Sequence, residues 1–159
     1  MAEEHYLLMK DTSGEKAPGT LKKFVGMTNT KRVLRGELLI PIPREKEPRS
    51  DVVQPNYSVE RDPAITLFVV DDDISPLNID DYYLLKAIDT PSDRFRVFSH
   101  PLWLEWGANL KVGSIVYVRL PSPNESAPTW SHGIVRYKGP VTNLCGMNFG
   151  VEIMVSSCG

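Results

Sequence analysis

The feature that most constrains the fold is a series of short apolar runs in the last fifty residues, separated by glycine and proline. Over residues 115–120 the hydrophobic period is two, so alternate side chains point to opposite faces of an extended strand. A long proline-containing loop leads to a second run at residues 133–137, and a Gly-Pro turn then leads toward a third run at residues 149–155. Short strands at this spacing predict a small antiparallel barrel over residues 109–159.

The middle of the chain predicts a strand followed by a helix. Residues 64–70 form a nearly unbroken apolar and β-branched run, which predicts a strand buried on both faces. Aspartates at residues 71–73 end it, and Asn78 or Asp80 is the expected N-cap of a helix that stops before Pro91. Apolar residues at spacings of three and four define the expected buried face of this helix: Tyr83, Leu84, Ala87 and Ile88.

The first 62 residues contain nine glycines and prolines, which leave room only for short extended pieces. The best strand candidates are residues 6–9 and 37–42. Because Pro41 cannot donate to a ladder, the second is predicted as an edge strand or the start of an extended loop. Residues 44–60 are mostly polar and predict a linker. The expected class is mainly β, with a partly disordered N-terminal extension (1–62), a mixed α/β segment (63–108) and a truncated barrel domain (109–159).

Composition excludes several classes of function. The net charge is -2, with 10 basic against 7 acidic residues over positions 1–50 and 8 against 13 over positions 51–159. This balance argues against a general nucleic-acid binder. No apolar run approaches the roughly 20 residues that span a bilayer. Two cysteines are too few for a disulfide framework. We expect a cytoplasmic protein without cofactor or metal that binds other proteins.

Four runs near the end resemble the first half of a CAP-Gly domain, a glycine-rich SH3-like barrel. They are Val112-Gly113-Ser114-Ile115-Val116-Tyr117-Val118, Gly133-Ile134-Val135-Arg136-Tyr137, Gly139-Pro140 and Phe149-Gly150-Val151-Glu152-Ile153. More narrowly, the long first loop and residues 135–140 resemble the first CAP-Gly domain of the CYLD-like (cylindromatosis) deubiquitinases. Residues 67–71 and 78–95 resemble that family's preceding segment. The resemblance implies an N-terminal interaction region with an incomplete first CAP-Gly domain.

Seven residues carry the site expected from this resemblance. Partner binding is predicted for Arg136, Lys138, Asn148 and Phe149, and structural roles at turns or close approaches for Gly133, Gly139 and Gly150. The implied partners are microtubule-associated or ubiquitin-signalling proteins, and cytoskeletal association is the implied location within the cytoplasm. Self-association through an exposed barrel edge is an open alternative.

Three functional hypotheses follow. The first is a noncatalytic protein-interaction module. The second is that the chain is a truncated product or a fragment of a full cysteine-type ubiquitin hydrolase, since longer members of the family cleave polyubiquitin with a C-terminal domain. The third is a nonfunctional or dominant-negative fragment that cannot close its barrel. No enzymatic activity is expected of the chain itself.

Other chemically capable residues favour structural interpretations. Cys145 and His132 could supply a nucleophile and a base, but Cys145 lies in a turn without the helix N-terminus that lowers a thiol pKa. The histidines lack metal-ligand spacing with either cysteine. Residues 71–73 with Asp80 and Asp81 could chelate a cation, but they are better explained as a solvated strand end and a helix start.

Two clusters could instead contact partners. Phe95, Phe98, Trp103 and Trp106 could form an exposed binding anchor, although a core linking the helical segment to the barrel is the favoured interpretation. The same stretch predicts a second short helix before Pro101. A basic cluster near the start could bind acidic partners, but a solvated basic segment is the favoured interpretation. This cluster comprises Lys22, Lys23, Lys31, Arg32 and Arg35.

Overall fold

The computed structural model describes residues 3–17, 29–44, 54–121 and 127–155, which form two antiparallel sheets and three short helices. The larger sheet comprises β1 His5–Leu8, β2 Thr12–Lys16, β3 Asn29–Val33, β4 Leu38–Pro41, β5 Tyr57–Val59, β6 Asp62–Leu67 and β7 Ile74–Leu77. The helices are α1 Ile79–Lys86, α2 Pro91–Ser99 and α3 Trp103–Asn109, and the smaller sheet comprises β8 Ile115–Leu120, β9 Thr129–Gly139 and β10 Asn148–Ile153. The predicted mainly β class is confirmed. Within these four ranges, no helix is long and apolar enough to cross a membrane.

The larger sheet has the strand order β3-β2-β6-β5-β4-β1-β7 and is buried on both faces at β1 and β4. One face carries a cluster of Leu8, Val33, Leu39, Val59, Ile65, Leu67 and Val69. On the other face Leu7 and Leu38 pack against Tyr82 and Leu85 of α1. The described part of residues 3–62 supplies five strands, three more than the two candidates predicted from the sequence. The sheet also crosses the predicted boundary after residue 62, because β6 begins at Asp62.

Strand β4 is an interior strand, which corrects the edge prediction for residues 37–42. It pairs with β1 on one side and with β5 on the other. The pairing with β1 ends at Leu39, and Ile42 donates its N–H to the Asn56 carbonyl at 2.9 Å on the β5 side. Successive N–H groups of a strand point to opposite neighbours. The missing donor of Pro41 therefore faces the side where pairing has already stopped.

Strand β6 is buried on one face only, although the sequence of residues 64–70 predicts burial on both. Ile65, Leu67 and Val69 are buried, whereas Phe68 exposes 53% of its surface. The reason is that β6 lies in an antiparallel sheet, where one-sided burial is common, and not in a parallel sheet covered by crossover helices. The linker predicted upstream contains β5, which pairs between β4 and β6. Residues 45–53 of that linker lie outside the described ranges.

Helix α1 begins where the sequence predicts, because the Asn78 side chain accepts a 2.8 Å hydrogen bond from the Asp81 N–H. Its buried face differs from the prediction. Tyr82 and Leu85 are buried, and Tyr83 exposes 43% of its surface. The His5 ring of β1 stacks on Tyr82 with 3.5 Å between ring centroids, which turns this side of the helix toward the sheet.

The predicted second helix is confirmed as α2, and α3 follows as a helix that the sequence did not predict. Pro91 occupies the first turn of α2, where its missing N–H costs nothing, and the Asp93 N–H donates to the Thr90 hydroxyl at 3.3 Å. Helix α3 lacks a side-chain cap at its start, and Gly107 lies inside it. These two features explain why its sequence carries a weak helix signal.

A buried charged cluster fastens the helices to the larger sheet. The Glu37 carboxylate is almost fully buried and accepts from Arg61 at 2.6 Å. Arg94 of α2 lies 3.7 Å from the same carboxylate and donates to the carbonyl of Ile88 at 2.8 Å. Burial lowers the pKa of Arg94, and the nearby carboxylates oppose that shift. Arg94 thus joins the junction of α1 and α2 to the turn before β4.

The three strands predicted in the last fifty residues are confirmed as an antiparallel sheet of order β10-β9-β8. Among the described residues this sheet does not close into a barrel, since β8 and β10 each pair only with β9. The loop between β9 and β10 packs on α1, where the Met147 N–H donates to the Tyr83 carbonyl at 2.8 Å. The small sheet is therefore attached to the helical layer, and its CAP-Gly character stays a prediction.

Candidate functional site

The four predicted partner-binding residues all lie on the β9–β10 hairpin, and of them Arg136 alone is exposed. Arg136 donates from Nε to Oε2 of Glu152 on the neighbouring strand at 2.6 Å, and both side chains are more than half exposed. Phe149 lies directly opposite Lys138 in the strand register, with the Lys138 ammonium 5.8 Å from the ring centroid. The hairpin thus brings the predicted residues together, but much of their bonding capacity is used inside the chain.

Lys138 forms the attachment between the small sheet and α3. Its Nζ donates to the carbonyl oxygens of Ala108 at 2.6 Å and Leu110 at 2.8 Å. Carbonyls at the C-terminal end of a helix have no partner within the helix, and the helix dipole makes that end negative. A half-buried ammonium there satisfies both groups. The position of Lys138 indicates a capping role.

Asn148 and the glycines shape the hairpin and its loop. The Asn148 amide donates to the carbonyls of Cys145 at 3.0 Å and Gly146 at 3.2 Å, which closes the turn before β10. Gly146 has φ +70°, and an added Cβ would lie 2.3 Å from the Tyr83 carbonyl oxygen. Both the positive φ and the close Tyr83 carbonyl oxygen require glycine at this position. Sequence reasoning did not single it out.

Gly133 is the predicted structural glycine with the closest neighbour. A Cβ there would lie 2.4 Å from Cγ1 of Val151 on β10. A Cβ added at Gly139 would lie 2.8 Å from the Tyr137 hydroxyl oxygen, and a Cβ added at Gly150 would lie 3.0 Å from the Tyr137 Cβ. These distances support close approach of β9 and β10 as the reason for Gly133 and Gly150, whereas the close neighbour of Gly139 lies on its own strand, β9.

The other chemically capable residues do not converge. No group of three or more histidine, cysteine or acidic side chains able to hold a metal occurs in the described part of the chain. Cys145 is exposed in the β9–β10 loop, while His132 projects from β9 beside Tyr117. Of the basic cluster, Arg32 pairs with Asp11 at 2.7 Å. Three candidates fall outside the described residues: Lys22, Lys23 and Cys158.

The aromatic stretch divides between core and surface. Phe98 packs into the cluster under α1, as the favoured core interpretation predicts. Trp103 and Trp106 do not follow that interpretation, since they expose 38% and 55% of their surfaces. The His100 ring stacks on Trp103 with 4.3 Å between centroids. We name the exposed pair of Trp103 and Trp106 the tryptophan edge.

An open cleft of about 430 Å³ lies beside the tryptophan edge, between α3 and the start of α1. Phe98 and Leu104 supply apolar lining, and three carboxylates share the wall: Asp80, Asp81 and Glu105. Among the described residues, neither lysine nor arginine lines it. Burial raises the pKa of Asp81, the Asn78 hydrogen bond opposes this rise, and the Asp80 charge adds to it. The cleft is therefore a negatively charged site that fits a cationic group.

A second exposed surface lies on the small sheet and was missed by sequence reasoning. Tyr117 stacks on Trp130 and meets the His132 ring edge-on, with ring centroids 6.2 and 4.4 Å apart. Ile115, Tyr117 and Trp130 expose 70%, 61% and 54% of their surfaces. The alternation in β8 predicts that Ile115 and Tyr117 share one face. Trp130 and His132 were missed because β9 begins four residues earlier than the sequence predicts. We name this surface, Ile115 with Tyr117, Trp130 and His132, the aromatic face.

Comparison with known proteins finds relatives among the ubiquitin carboxyl-terminal hydrolases named CYLD. Over 95 residues the chain is 36% identical to the ubiquitin carboxyl-terminal hydrolase CYLD of Mus musculus, and 35% identical to the CYLD proteins of Bos taurus and Homo sapiens. The match covers 58% of this chain and 10% of each relative, so the chain spans about a tenth of their length. No family model matches the chain. No solved structure matches it. Over more than half of its length the chain is therefore related to a segment of the CYLD ubiquitin hydrolases.

Proposed function

We propose that this chain is a noncatalytic protein-interaction region of ubiquitin signalling, and that it contacts its partner through the tryptophan edge and the adjoining cleft. The observation that carries the proposal is the exposure of Trp103 and Trp106 beside a cleft walled by carboxylates. Large exposed aromatic side chains next to a concave site are typical of contact surfaces. The relation to a ubiquitin hydrolase supplies the signalling context.

The chemistry of the cleft selects the kind of partner. Asp80, Asp81 and Glu105 form no ion pair with another described residue. A partner that inserts a lysine or arginine would relieve their mutual repulsion, and its apolar neighbours would cover Trp106. An acidic tail would be repelled. The cleft thus favours a basic ubiquitin-signalling protein over an acidic microtubule tail.

The hairpin residues predicted from the sequence remain a competing surface. Arg136 and Lys138 carry positive charge, and Phe149 lies opposite Lys138 and next to Asn148 on β10. A surface there would favour an acidic microtubule-associated partner and a cytoskeletal location. The two surfaces therefore differ in the sign of the charge on the partner that they attract.

A titration with two labelled probes separates these surfaces. The first probe is ubiquitin, as monomer and as chains, and the second is an acidic tubulin-tail peptide. We expect saturable ubiquitin binding, weakened at least about tenfold by Trp106→Ser and by Glu105→Lys. Trp130→Ser is the matched control, because Trp130 is 54% exposed and Trp106 55%. Binding of the acidic peptide alone, lost in Arg136→Glu, would instead assign the hairpin.

A second candidate is that the chain acts as one part of a longer ubiquitin hydrolase. The match to about a tenth of each CYLD protein favours it. Activity would then reside in residues beyond this sequence. Sequencing the transcript tests this: a continuation that encodes a cysteine and histidine catalytic domain supports it, and a stop codon after Gly159 excludes it.

A further inference from the structure

We propose that His100 makes partner binding at the cleft depend on pH: a neutral imidazole leaves the cleft open to the partner's lysine or arginine, and a protonated one competes with that cation. The inference rests on the proposed function, because it concerns how binding at that same site is regulated. Histidine is the side chain that ordinarily changes charge between pH 5 and 8. His100 lines the cleft together with Asp80, Asp81 and Glu105.

The His100 ring is oriented by contacts with the tryptophan edge and with the turn before α3. It stacks on Trp103 with 4.3 Å between centroids and 13° between planes, and it is tilted against Trp106 at 5.9 Å. Its Nδ1 accepts a hydrogen bond from the Leu102 N–H, with 3.4 Å between the two nitrogens. A nitrogen that accepts carries no proton, so this arrangement belongs to the neutral ring protonated at Nε2.

The charged groups that line the cleft with His100 are all acidic. They come from two helices, α1 and α3, as the three carboxylates of the cleft wall. On its own helix, Arg96 lies one turn earlier, does not line the cleft, and pairs with Asp93 at 3.0 Å. His100 is also the C-cap of α2, the helix end that the dipole makes negative. Among the described lining residues, a protonated His100 would carry the only positive charge.

Protonation at Nδ1 changes the site in two ways. The nitrogen that accepts from the Leu102 N–H becomes a donor, so this hydrogen bond is lost and the ring loses one of the contacts that orient it. The new charge also repels a lysine or arginine that the partner inserts among the carboxylates. Both changes weaken the complex. The affinity should therefore be high near pH 7.5 and fall as the pH approaches 5.5.

A nuclear magnetic resonance titration of the chain alone, from about pH 8 to pH 5, tests the first change. We expect the indole N–H signal of Trp103 to shift with the same midpoint as the ring signals of His100, and this shift should disappear in His100→Gln. His132→Gln is the matched control, since His132 lies on β9 outside the cleft. A Trp103 signal that does not follow the His100 titration would overturn the coupling between the ring and the tryptophan edge.

The dissociation constant for ubiquitin, measured at about pH 7.5 and about pH 5.5, tests the competition. One linked proton changes this constant by at most about tenfold per pH unit, and we expect the wild type to bind about fivefold more weakly at the lower pH. His100→Gln cannot gain the charge and should lose most of this dependence, whereas His100→Lys carries the charge permanently and should bind weakly at both pH values. Burial raises the pKa of Asp81, so this carboxyl also loses charge as the pH falls. His100→Gln retains that contribution and measures it.

The outcomes separate this inference from the proposed function. Equal pH dependence in the wild type and His100→Gln would overturn the inference, and so would tight binding by His100→Lys at either pH. Wild-type protein that binds ubiquitin at neither pH would refute the proposed function and the inference with it. Circular-dichroism melts at both pH values check that each variant stays folded.

Discussion

Replacing Lys138 by methionine removes the attachment between the small sheet and α3 while it preserves the side-chain stem. In the structure the ammonium donates to the Ala108 and Leu110 carbonyls at 2.6 and 2.8 Å. Hydrogen bonds to a charged group stabilise by about 1.5–3 kcal/mol each, and removal also leaves carbonyls at a helix end without their partner. Both bonds come from one half-buried ammonium, so their contributions do not add fully. We expect a loss of about 2 kcal/mol in the free energy of unfolding.

Urea denaturation followed by tryptophan fluorescence measures this loss directly. With a slope of about 2 kcal/mol/M, the midpoint should fall by about 1 M. Arg136→Met is the matched control, because Arg136 and its partner Glu152 are 55% and 62% exposed. An exposed pair of this kind contributes about 0.2–1 kcal/mol. A Lys138→Met midpoint within about 0.2 M of the wild type would refute the capping role and return Lys138 to partner binding.

Three further predictions test other parts of the structure. Leu7→Ala removes a fully buried side chain between β1 and α1 and should cost about 2–5 kcal/mol, measured by urea denaturation; a cost below about 1 kcal/mol would contradict this packing. Gly146→Ala forces a side chain onto φ +70° and against the Tyr83 carbonyl, so it should destabilise by more than about 1 kcal/mol and speed amide exchange at Met147, whereas unchanged exchange would argue against the docked loop. Burial and the Glu60 carboxylate raise the pKa of Tyr82 to about 12 from 10.0, so the stabilisation by the neutral phenol is complete below pH 10 and is lost as pH rises toward 12; Tyr82→Phe should flatten that part of the pH profile of stability, and an unaltered profile would count against the cluster.

Periodicity and capping chemistry carried much of the fold prediction. The alternation in β8 and the Asn78 cap are local signals, and the structure contains both. The edge prediction for Pro41 failed because a proline at a strand end is compatible with an interior strand, once the neighbouring strand has stopped pairing. Which strands neighbour β4 depends on distant segments, and the local sequence does not encode that pairing.

The candidate site was less predictable than the fold. Local sequence places Trp103 and Trp106 in an apolar stretch, which favours a core, but their exposure depends on which side of α3 faces α1. Lys138 illustrates the opposite error, since a lysine on a strand suggests partner binding until the end of α3 is found beside it. Burial of a helix side and the position of a distant helix end are tertiary properties.

The most direct test of the interaction surface is a nuclear magnetic resonance titration of the isotope-labelled chain with ubiquitin. We expect saturable amide shift changes confined to the start of α1 and to α3, together with changes in the indole N–H signals of Trp103 and Trp106. The Trp130 indole signal should not move. Shift changes centred on the β9–β10 hairpin, or none at saturating ubiquitin, would contradict the proposed contact through the tryptophan edge.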